Sequence, residues 1–119
     1  MQLRTTQREV AGDLVLALDG TADLAALPLI HAACQRLLRG VEPGTSIAID
    51  LDGVDVLDDA ALGLLLGAAA TARSNGATLR VVCSDDRLRR RLANTRFDLA
   101  VDVVGSLSET VADGSAGLS

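Results

Sequence analysis

The sequence predicts an α/β class of fold, a single domain in which helices pack against a mixed β-sheet. Two patterns predict it: an apolar–polar alternation near the start of the chain, and then segments of helical period that alternate with short apolar segments. A length of 119 residues is typical of one domain. Apolar residues make up 49% and charged residues 23%, a balance typical of folded proteins rather than disordered ones.

The first two elements are expected to form a hairpin. A weak strand over residues 3–10 leads into the turn Ala11-Gly12-Asp13. Leucines at positions 14, 16 and 18 alternate with smaller residues and predict a second, half-buried strand. Residues 20–23 break this alternation and are expected to end the strand.

The first helix is predicted to follow and to end near Arg39. Pro28 fits only near the start of a helix, where its missing N–H leaves no bond unmade. The residues on the apolar face of this helix are Leu27, Ile30, Cys34 and Leu37. A turn over residues 41–44 leads to an apolar strand over 45–51, and the chain continues extended over 54–57.

The same alternation continues along the chain. A second helix is predicted over residues 60–74, closed by Asn75-Gly76, and a β-branched strand over 78–83 follows it. Ser84 is expected to cap a third helix that ends near Thr95 and turns its leucines, Leu88 and Leu92, toward the core.

The last segment is expected to add one strand and one helix. The strand is predicted over residues 99–104, and Ser106-Leu107-Ser108-Glu109 has the form of a capping box that opens a short fourth helix. Residues 1–113 would then form the domain and residues 114–119 a flexible tail. The predicted architecture is a mixed sheet opened by an N-terminal hairpin, with four helices packed against it.

Charge and composition argue against several classes of function. A net charge of −5 is unsuited to binding nucleic acid, which requires a basic surface. No apolar run approaches the roughly 18–20 residues of a membrane span, and the start of the chain lacks the pattern of a secretory signal. Cys34 and Cys83 lie among apolar residues and form no CxxC pair, which indicates reduced thiols in a cytoplasmic protein. His31 has no potential metal ligand at useful spacing, and no cofactor is expected.

One segment resembles a catalytic motif. In residues 47–54 an apolar strand presents Asp50 and Asp52, as in the magnesium-dependent phosphatases of the haloacid dehalogenase superfamily. The context differs, because the motif lies midway along a short chain that contains no Lys to neutralise a phosphorylated aspartate. We therefore interpret the segment as a buried strand that ends in turn-forming residues, and keep the phosphatase as a remote alternative.

The predicted second helix is unusual because no charged residue occurs from residue 60 to residue 72. Its core face is expected to consist of Leu62, Leu65, Leu66, Ala69 and Ala72. The opposite face would carry Ala60, Gly63, Leu64, Gly67, Thr71 and Ser74, with Leu64 projecting from it. A surface helix normally turns charges toward water. The helix is therefore either buried on both sides or covered by a partner protein, and we favour the partner.

Asp58 and Asp59 directly precede this helix. A carboxylate at this place is expected to cap the helix by accepting backbone N–H bonds, which explains one of the two residues. The other leaves a negative charge beside the apolar face, where a basic surface of a partner would complement it.

Three segments, in this order, resemble the motifs of STAS domains, the family of anti-sigma factor antagonists and of the cytoplasmic part of sulfate transporters. Gly20-Thr21-Ala22-Asp23 is similar to the family's G-x-L-D. Ile49-Asp50-Leu51 followed by Val54-Asp55-Val56-Leu57-Asp58 resembles the motif of the next strand. The segment Asp58-Asp59-Ala60-Ala61-Leu62-Gly63 occupies the place of D-S-S-G-L-G. The resemblance covers roughly residues 3–113 and agrees with the predicted order of elements.

The resemblance implies a regulatory protein rather than an enzyme. In the antagonists, the third motif binds an anti-sigma factor that is also a serine kinase of histidine-kinase-like ATPase fold, and phosphorylation of the second Ser breaks the complex. Here Ala60 stands at that position, Asp59 replaces the preceding Ser, and Ala61 replaces the Gly. The protein is then either always competent to bind, which we favour, or weakened by Asp59 acting as a mimic of the phosphate.

The predicted partner-binding residues are Asp23, Asp58, Asp59, Ala60, Ala61, Gly63, Leu64 and Gly67. A second hypothesis keeps the fold and makes the protein the STAS subunit of an ABC-type lipid transporter, bound to the ATPase of that transporter. A homodimer through the second helix is also open. Arginines at positions 87, 89, 90, 91 and 96 are interpreted as a solvated face, with an acidic surface or a nucleotide phosphate as the alternative ligand.

Overall fold

The computed structural model describes residues 2–107, in which three α-helices and a five-stranded sheet are found. The strands are β1 (Arg4–Val10), β2 (Asp13–Ala22), β3 (Ser46–Leu57), β4 (Thr78–Val82) and β5 (Asp102–Val104). The helices are α1 (Leu27–Leu38), α2 (Asp59–Ser74) and α3 (Asp86–Asn94), and single 3₁₀ turns occupy Leu24–Ala26 and Phe97–Leu99.

The strands lie in the sheet in the order in which they follow one another along the chain. β1 pairs antiparallel with β2 across the turn at Ala11 and Gly12, and β2 to β5 are parallel to their neighbours. Each parallel connection therefore advances in the same direction across the sheet. Because such crossovers are right-handed, all three helices lie on one face of the sheet, with α2 between α1 and α3.

The core lies between this face and the helices. Alternate residues of the strands, such as Ile47, Ile49 and Val81, pack there against apolar side chains of all three helices. On the opposite face a smaller buried cluster contains Val15, Ala48, Val82 and Val104. Both faces of the central strands are therefore apolar, which is typical of parallel strands.

Arg80 is a buried cation on the opposite face, with only 5% of its surface exposed. Its Nη2 donates to Asp13 Oδ2 at 2.8 Å and to the backbone oxygen of Leu107 at 3.1 Å, while its Nη1 donates to Ser46 Oγ at 3.2 Å. These bonds connect β4 to the beginnings of β2 and β3. The side chain thus stabilises the register of the sheet, because a buried charge requires its partners.

The structure corrects the predicted bounds at two glycines. Gly20 does not end β2 but lies within it at a register shift, and Gly53 lies within a continuous β3. A Cβ at Gly20 would meet the backbone of Gln2, and a Cβ at Gly53 would overlap the carboxylate of Asp19. These glycines therefore permit close approach of neighbouring chain segments, which the sequence pattern does not distinguish from a turn.

Three further predictions differ from the structure. Asp85, not Ser84, caps α3, because its carboxylate accepts the N–H of Arg87 at 2.8 Å. The last strand begins at Asp102, and Leu99 belongs to a 3₁₀ turn with 73% of its surface exposed. The predicted fourth helix and the C-terminal tail lie outside the described residues.

We predict that Arg80→Met lowers the free energy of unfolding by about 2–4 kcal/mol, because it leaves the carboxylate of Asp13 without its partner. Urea denaturation measures the loss. The double variant Asp13→Asn/Arg80→Met should recover part of it, and the exposed Arg90→Met should change stability by less than about 0.5 kcal/mol. Equal effects of Arg80→Met and Arg90→Met would contradict the structural role of this cation.

Candidate partner-binding site

The candidate site begins where β2 and β3 end side by side. Ala22 and Leu57 are paired at the ends of these strands, so that Asp23 and Asp58 follow at neighbouring positions. The backbone N–H of Asp58 donates to the oxygen of Ala22 at 2.9 Å, which ties the two loops together. The fold thus brings together two acidic residues that lie far apart in the sequence.

Asp23 is half-buried and has a local structural role. Its carboxylate accepts the N–H of Ala26 at 3.2 Å and caps the 3₁₀ turn that leads into α1. Asp58 occupies the N-cap position of α2, but its side chain makes no capping hydrogen bond. The prediction that a carboxylate of this pair caps α2 through N–H bonds is therefore wrong for Asp58.

Asp59 forms an ion pair with an arginine of α3. Its Oδ1 accepts from Arg91 Nη2 at 2.8 Å, and Arg91 Nε donates to the backbone oxygen of Leu57 at 2.6 Å. The side chain of Asp59 is 80% exposed, so that this pair contributes little to stability. The ion pair changes the local charge, because it places a cation beside Asp59, the carboxylate that the sequence suggests as a possible phosphate mimic.

The faces of α2 differ from the prediction by a rotation. The residues of α2 that are buried in the core are Ala61, Leu62, Leu65, Ala68, Ala69 and Ala72. Ala61, predicted to bind a partner, is fully buried, and Leu64, predicted to project, is half-buried against the core. Leu66, predicted to face the core, is 37% exposed. The reason is that α1 lies beside α2 and covers part of the face predicted to be outward.

Between α1 and α2 runs an open groove of about 610 Å³. Its walls are His31, Cys34, Gln35 and Leu38 from α1, Arg39 directly after that helix, and Gly63, Leu64, Gly67, Ala68 and Thr71 from α2. The wall from α1 is not predicted from the sequence, although His31 and Gln35 lie four residues apart and so share one stripe of that helix. At the base, burial raises the pKa of the Cys34 thiol to about 11.

The two glycines of the groove are not required by packing. Both are exposed, and nothing lies within 4 Å of a Cβ built at Gly63 or Gly67. A glycine inside a helix costs about 1 kcal/mol relative to alanine. The chain thus tolerates this cost at two adjacent turns of α2, where alanine would fit, and leaves the exposed backbone open to close approach.

The carboxylates of the phosphatase-like motif, Asp50 and Asp52, accept hydrogen bonds from nearby loop residues. Asp50 Oδ1 accepts the backbone N–H of Asp52 at 2.9 Å, and Asp52 Oδ1 accepts both N–H and Oγ–H of Ser84 at 2.7 and 3.0 Å. These bonds connect β3 to the loop after β4. In residues 2–107 no three His, Cys, Asp or Glu side chains are grouped in a way that would hold a metal ion.

The arginines of α3 are only in part the predicted solvated face. Arg87, Arg89 and Arg91 each donate to a backbone oxygen, those of Asp55, Cys83 and Leu57 respectively. They fasten α3 to the ends of β3 and β4. Phe97, the single aromatic residue of the sequence, is 1% exposed and belongs to the core.

Comparison with known proteins establishes the family. A model of the STAS domain matches residues 3–114, and the chain therefore belongs to the STAS domain family. None of the curated proteins matches the chain in sequence. Across residues 2–107 no helix is long and apolar enough to cross a membrane.

Solved structures share the fold at low sequence identity. An anti-sigma factor antagonist from Mycobacterium paratuberculosis superposes with a TM-score of 0.77 at 23% identity, over 90% of this chain and 89% of that one. The unphosphorylated anti-sigma factor antagonist SpoIIAA gives 0.66 at 17% identity, over 88% and 91% of the two chains. Phosphorylated SpoIIAA of Bacillus gives 0.64 at 16% identity, over 88% and 95%. The α/β fold and its STAS topology are thereby shown.

We predict that Gly63→Ala and Gly67→Ala each raise the free energy of unfolding by about 0.5–1 kcal/mol, because each adds helix propensity without a clash. Thermal and urea unfolding measure the change. Gly76→Ala is the matched control: its φ is +78° and a Cβ would lie 3.0 Å from Pro43, so this variant should be destabilised. A loss of stability in either helix variant would contradict the open surroundings of these glycines.

A second prediction concerns the thiol at the base of the groove. Alkylation of Cys34 should accelerate about tenfold per pH unit up to about pH 11. The reason is that only the thiolate reacts, and in the folded protein the pKa of this thiol lies above its usual value of 9.0. Peptide mapping after timed treatment with iodoacetamide gives the rate at Cys34 alone. The unfolded chain is the control, and its rate should level off near pH 9. The same plateau in the folded protein would contradict the raised pKa of this thiol.

Proposed function

We propose that the protein is an anti-sigma factor antagonist that binds a partner of histidine-kinase-like ATPase fold and thereby controls sigma-dependent transcription in the cytoplasm. The observation that carries the proposal is the exposed face of α2 beside the Asp58–Asp59 loop. Ala60, Gly63 and Gly67 form an uncharged surface there, and Leu64 lies half-buried at its edge. A surface of this kind suits close contact with a protein partner.

The site is proposed to lack the covalent switch of the family. Ala60 is exposed in the first turn of α2, at the position where the family pattern has its phosphoacceptor. A methyl group cannot accept a phosphoryl group. The Arg91 guanidinium beside Asp59 supports permanent competence over phosphate mimicry, because a carboxylate paired with a cation presents less net charge than a phosphate with about −2.

The proposed partner site consists of Asp23, Asp58, Asp59, Ala60, Gly63, Leu64 and Gly67. Ala61 is excluded from it, since its side chain is fully buried. The second hypothesis, an accessory subunit of an ABC-type lipid transporter, uses the same surface and differs in the ATPase that is bound.

Affinity purification from the native host tests the partner. We expect the wild-type protein to capture a histidine-kinase-like ATPase. The Gly67→Arg variant should capture at least tenfold less of it, because a charged side chain then lies in the contact. Arg90→Ala, on the exposed side of α3, is the matched control and should retain the partner. Retention of an ABC-type ATPase instead would favour the transporter hypothesis, and equal retention by Gly67→Arg would contradict the proposed surface.

Intact-mass measurement tests the absence of the switch. After incubation with the captured kinase and ATP, the wild-type protein should keep its mass, whereas Ala60→Ser should gain one phosphoryl group at residue 60 and then bind the kinase less tightly. Phosphorylation of the wild-type chain, at Thr71 or Ser74 for instance, would contradict the proposal of an unswitched protein.

A further inference from the structure

We propose that Arg91 of α3 is a positioning residue of the partner-binding site, which keeps the carboxylate of Asp58 away from the amino end of α2 and so available to the partner. The proposal rests on the proposed function, because it takes Asp58 to be part of the contact. Three observations carry it: the missing side-chain cap of α2, the cleft that Asp58 and Arg91 share, and the two hydrogen bonds of Arg91.

Asp58 does not cap its helix, although its residue type and its backbone allow it. Its φ of −77° and ψ of 155° are extended, as are the −74° and 119° of Asp85, the N-cap residue of α3. The carboxylate of Asp85 accepts the N–H groups of Arg87 and Leu88, at 2.8 and 3.4 Å. Aspartate is preferred at this position because it satisfies N–H groups that the helix leaves free. A contact outside α2 therefore directs the carboxylate of Asp58 elsewhere.

Asp58 lies in a cleft between the end of β3 and α3. The cleft has a volume of about 440 Å³, and the other residues that line it are Asp55, Val56, Leu57, Arg87, Leu88 and Arg91. Two guanidinium groups, one turn apart on α3, thus border the same space as the carboxylate. Their attraction favours an orientation of Asp58 toward α3 over the capping orientation. Asp58 forms no ion pair within residues 2–107, so the arginines orient its carboxylate without neutralising it by direct contact.

Arg91 also fixes the chain on both sides of Asp58. Its Nε donates to the backbone oxygen of Leu57 at 2.6 Å, and its Nη2 donates to Asp59 Oδ1 at 2.8 Å. One planar guanidinium thus joins the last residue of β3 to the first residue of α2. Because both of its neighbours are held, Asp58 has little freedom to turn toward the N–H groups of the first turn.

The unused cap lies where the proposed contact would use an exposed carboxylate. Proteins break local rules of stability most often at functional sites. Here the rule is broken directly before the exposed Ala60, at the amino end of the uncharged surface of α2. A carboxylate held at this place complements a basic group on the partner. Arg91 would therefore act on the partner through Asp58.

Amide hydrogen exchange in the free protein tests the role of Arg91 without a partner. In Arg91→Gln the carboxylate of Asp58 should move to the cap and accept the N–H of Ala60 or Ala61, so that exchange at one of these amides slows at least fivefold. Arg91→Lys keeps the positive charge and should resemble the wild type more closely. Arg90→Gln, on the exposed side of α3, is the matched control and should leave both rates unchanged.

Removal of each N-cap carboxylate gives a second comparison on the free protein. Asp58→Ala should leave the thermal midpoint near that of the wild type, because no capping bond is lost. Asp85→Ala should lower the midpoint by several degrees, because Asp85 caps α3. A similar loss in both variants would show that Asp58 already caps α2, which contradicts the proposal.

Binding to the ATPase captured from the native host tests the consequence for the site. Arg91→Gln should lower the affinity at least fivefold, and Arg91→Lys should lower it less. In the Asp58→Ala background, Arg91→Gln should have no further effect, because Arg91 acts through Asp58. A residue with a merely structural role would weaken binding equally in both backgrounds.

Three further results would overturn the proposal. Two of them are unchanged amide exchange in Arg91→Gln and unchanged affinity of that variant. The third is a loss of affinity that persists in full in the Asp58→Ala background, which would assign the effect to the uncovered charge of Asp59. Capture of no ATPase by the wild-type protein would count against the proposed function instead, whereas the exchange rates of the free protein test Arg91 in either case.

Discussion

The handedness of the crossovers is the constraint on which the rest of the structure depends. Because the strands follow the chain order across the sheet and each parallel connection is right-handed, the three described helices must share one face. The middle helix, α2, packs against α1 and the sheet, and Arg91 of α3 reaches its amino end. An outward strip of α2 is left exposed, and this strip carries no charge between Asp59 and Arg73. The proposed docking surface on α2 is thus a consequence of topology combined with composition.

The loop before α2 shows how contacts between distant segments change the chemistry of a motif. From the sequence alone, Asp59 is a free carboxylate where the family pattern has a serine. In the fold, Arg91 reaches it across about thirty residues of intervening chain while also holding the end of β3. The charge that could imitate a phosphate is accompanied by a cation. The site is therefore closer in charge to an unmodified loop than the sequence suggests.

Much of the fold could be predicted from the sequence, because its signals are local. Leucines at alternate positions indicate the strand β2, and apolar residues at helical spacing indicate the helix α2, without reference to the rest of the chain. The errors have a different origin. The sequence pattern predicts breaks at Gly20 and Gly53, whereas these glycines allow neighbouring segments to approach within a continuous sheet. The burial of Ala61 depends on how α2 rotates between α1 and the sheet, which only packing decides. The wall that α1 adds to the groove and the pairing of Asp59 likewise depend on contacts between distant segments.

The central claim is that the outward strip of α2 contacts a partner while the residue at position 60 carries no switch. A photo-crosslinking amino acid in place of Gly67, with the same substitution at Arg90 for comparison, tests it in the native host. We expect illumination to join position 67 to a histidine-kinase-like ATPase and to leave position 90 unlinked. Crosslinks that arise equally from both positions, or from position 90 alone, would contradict the account.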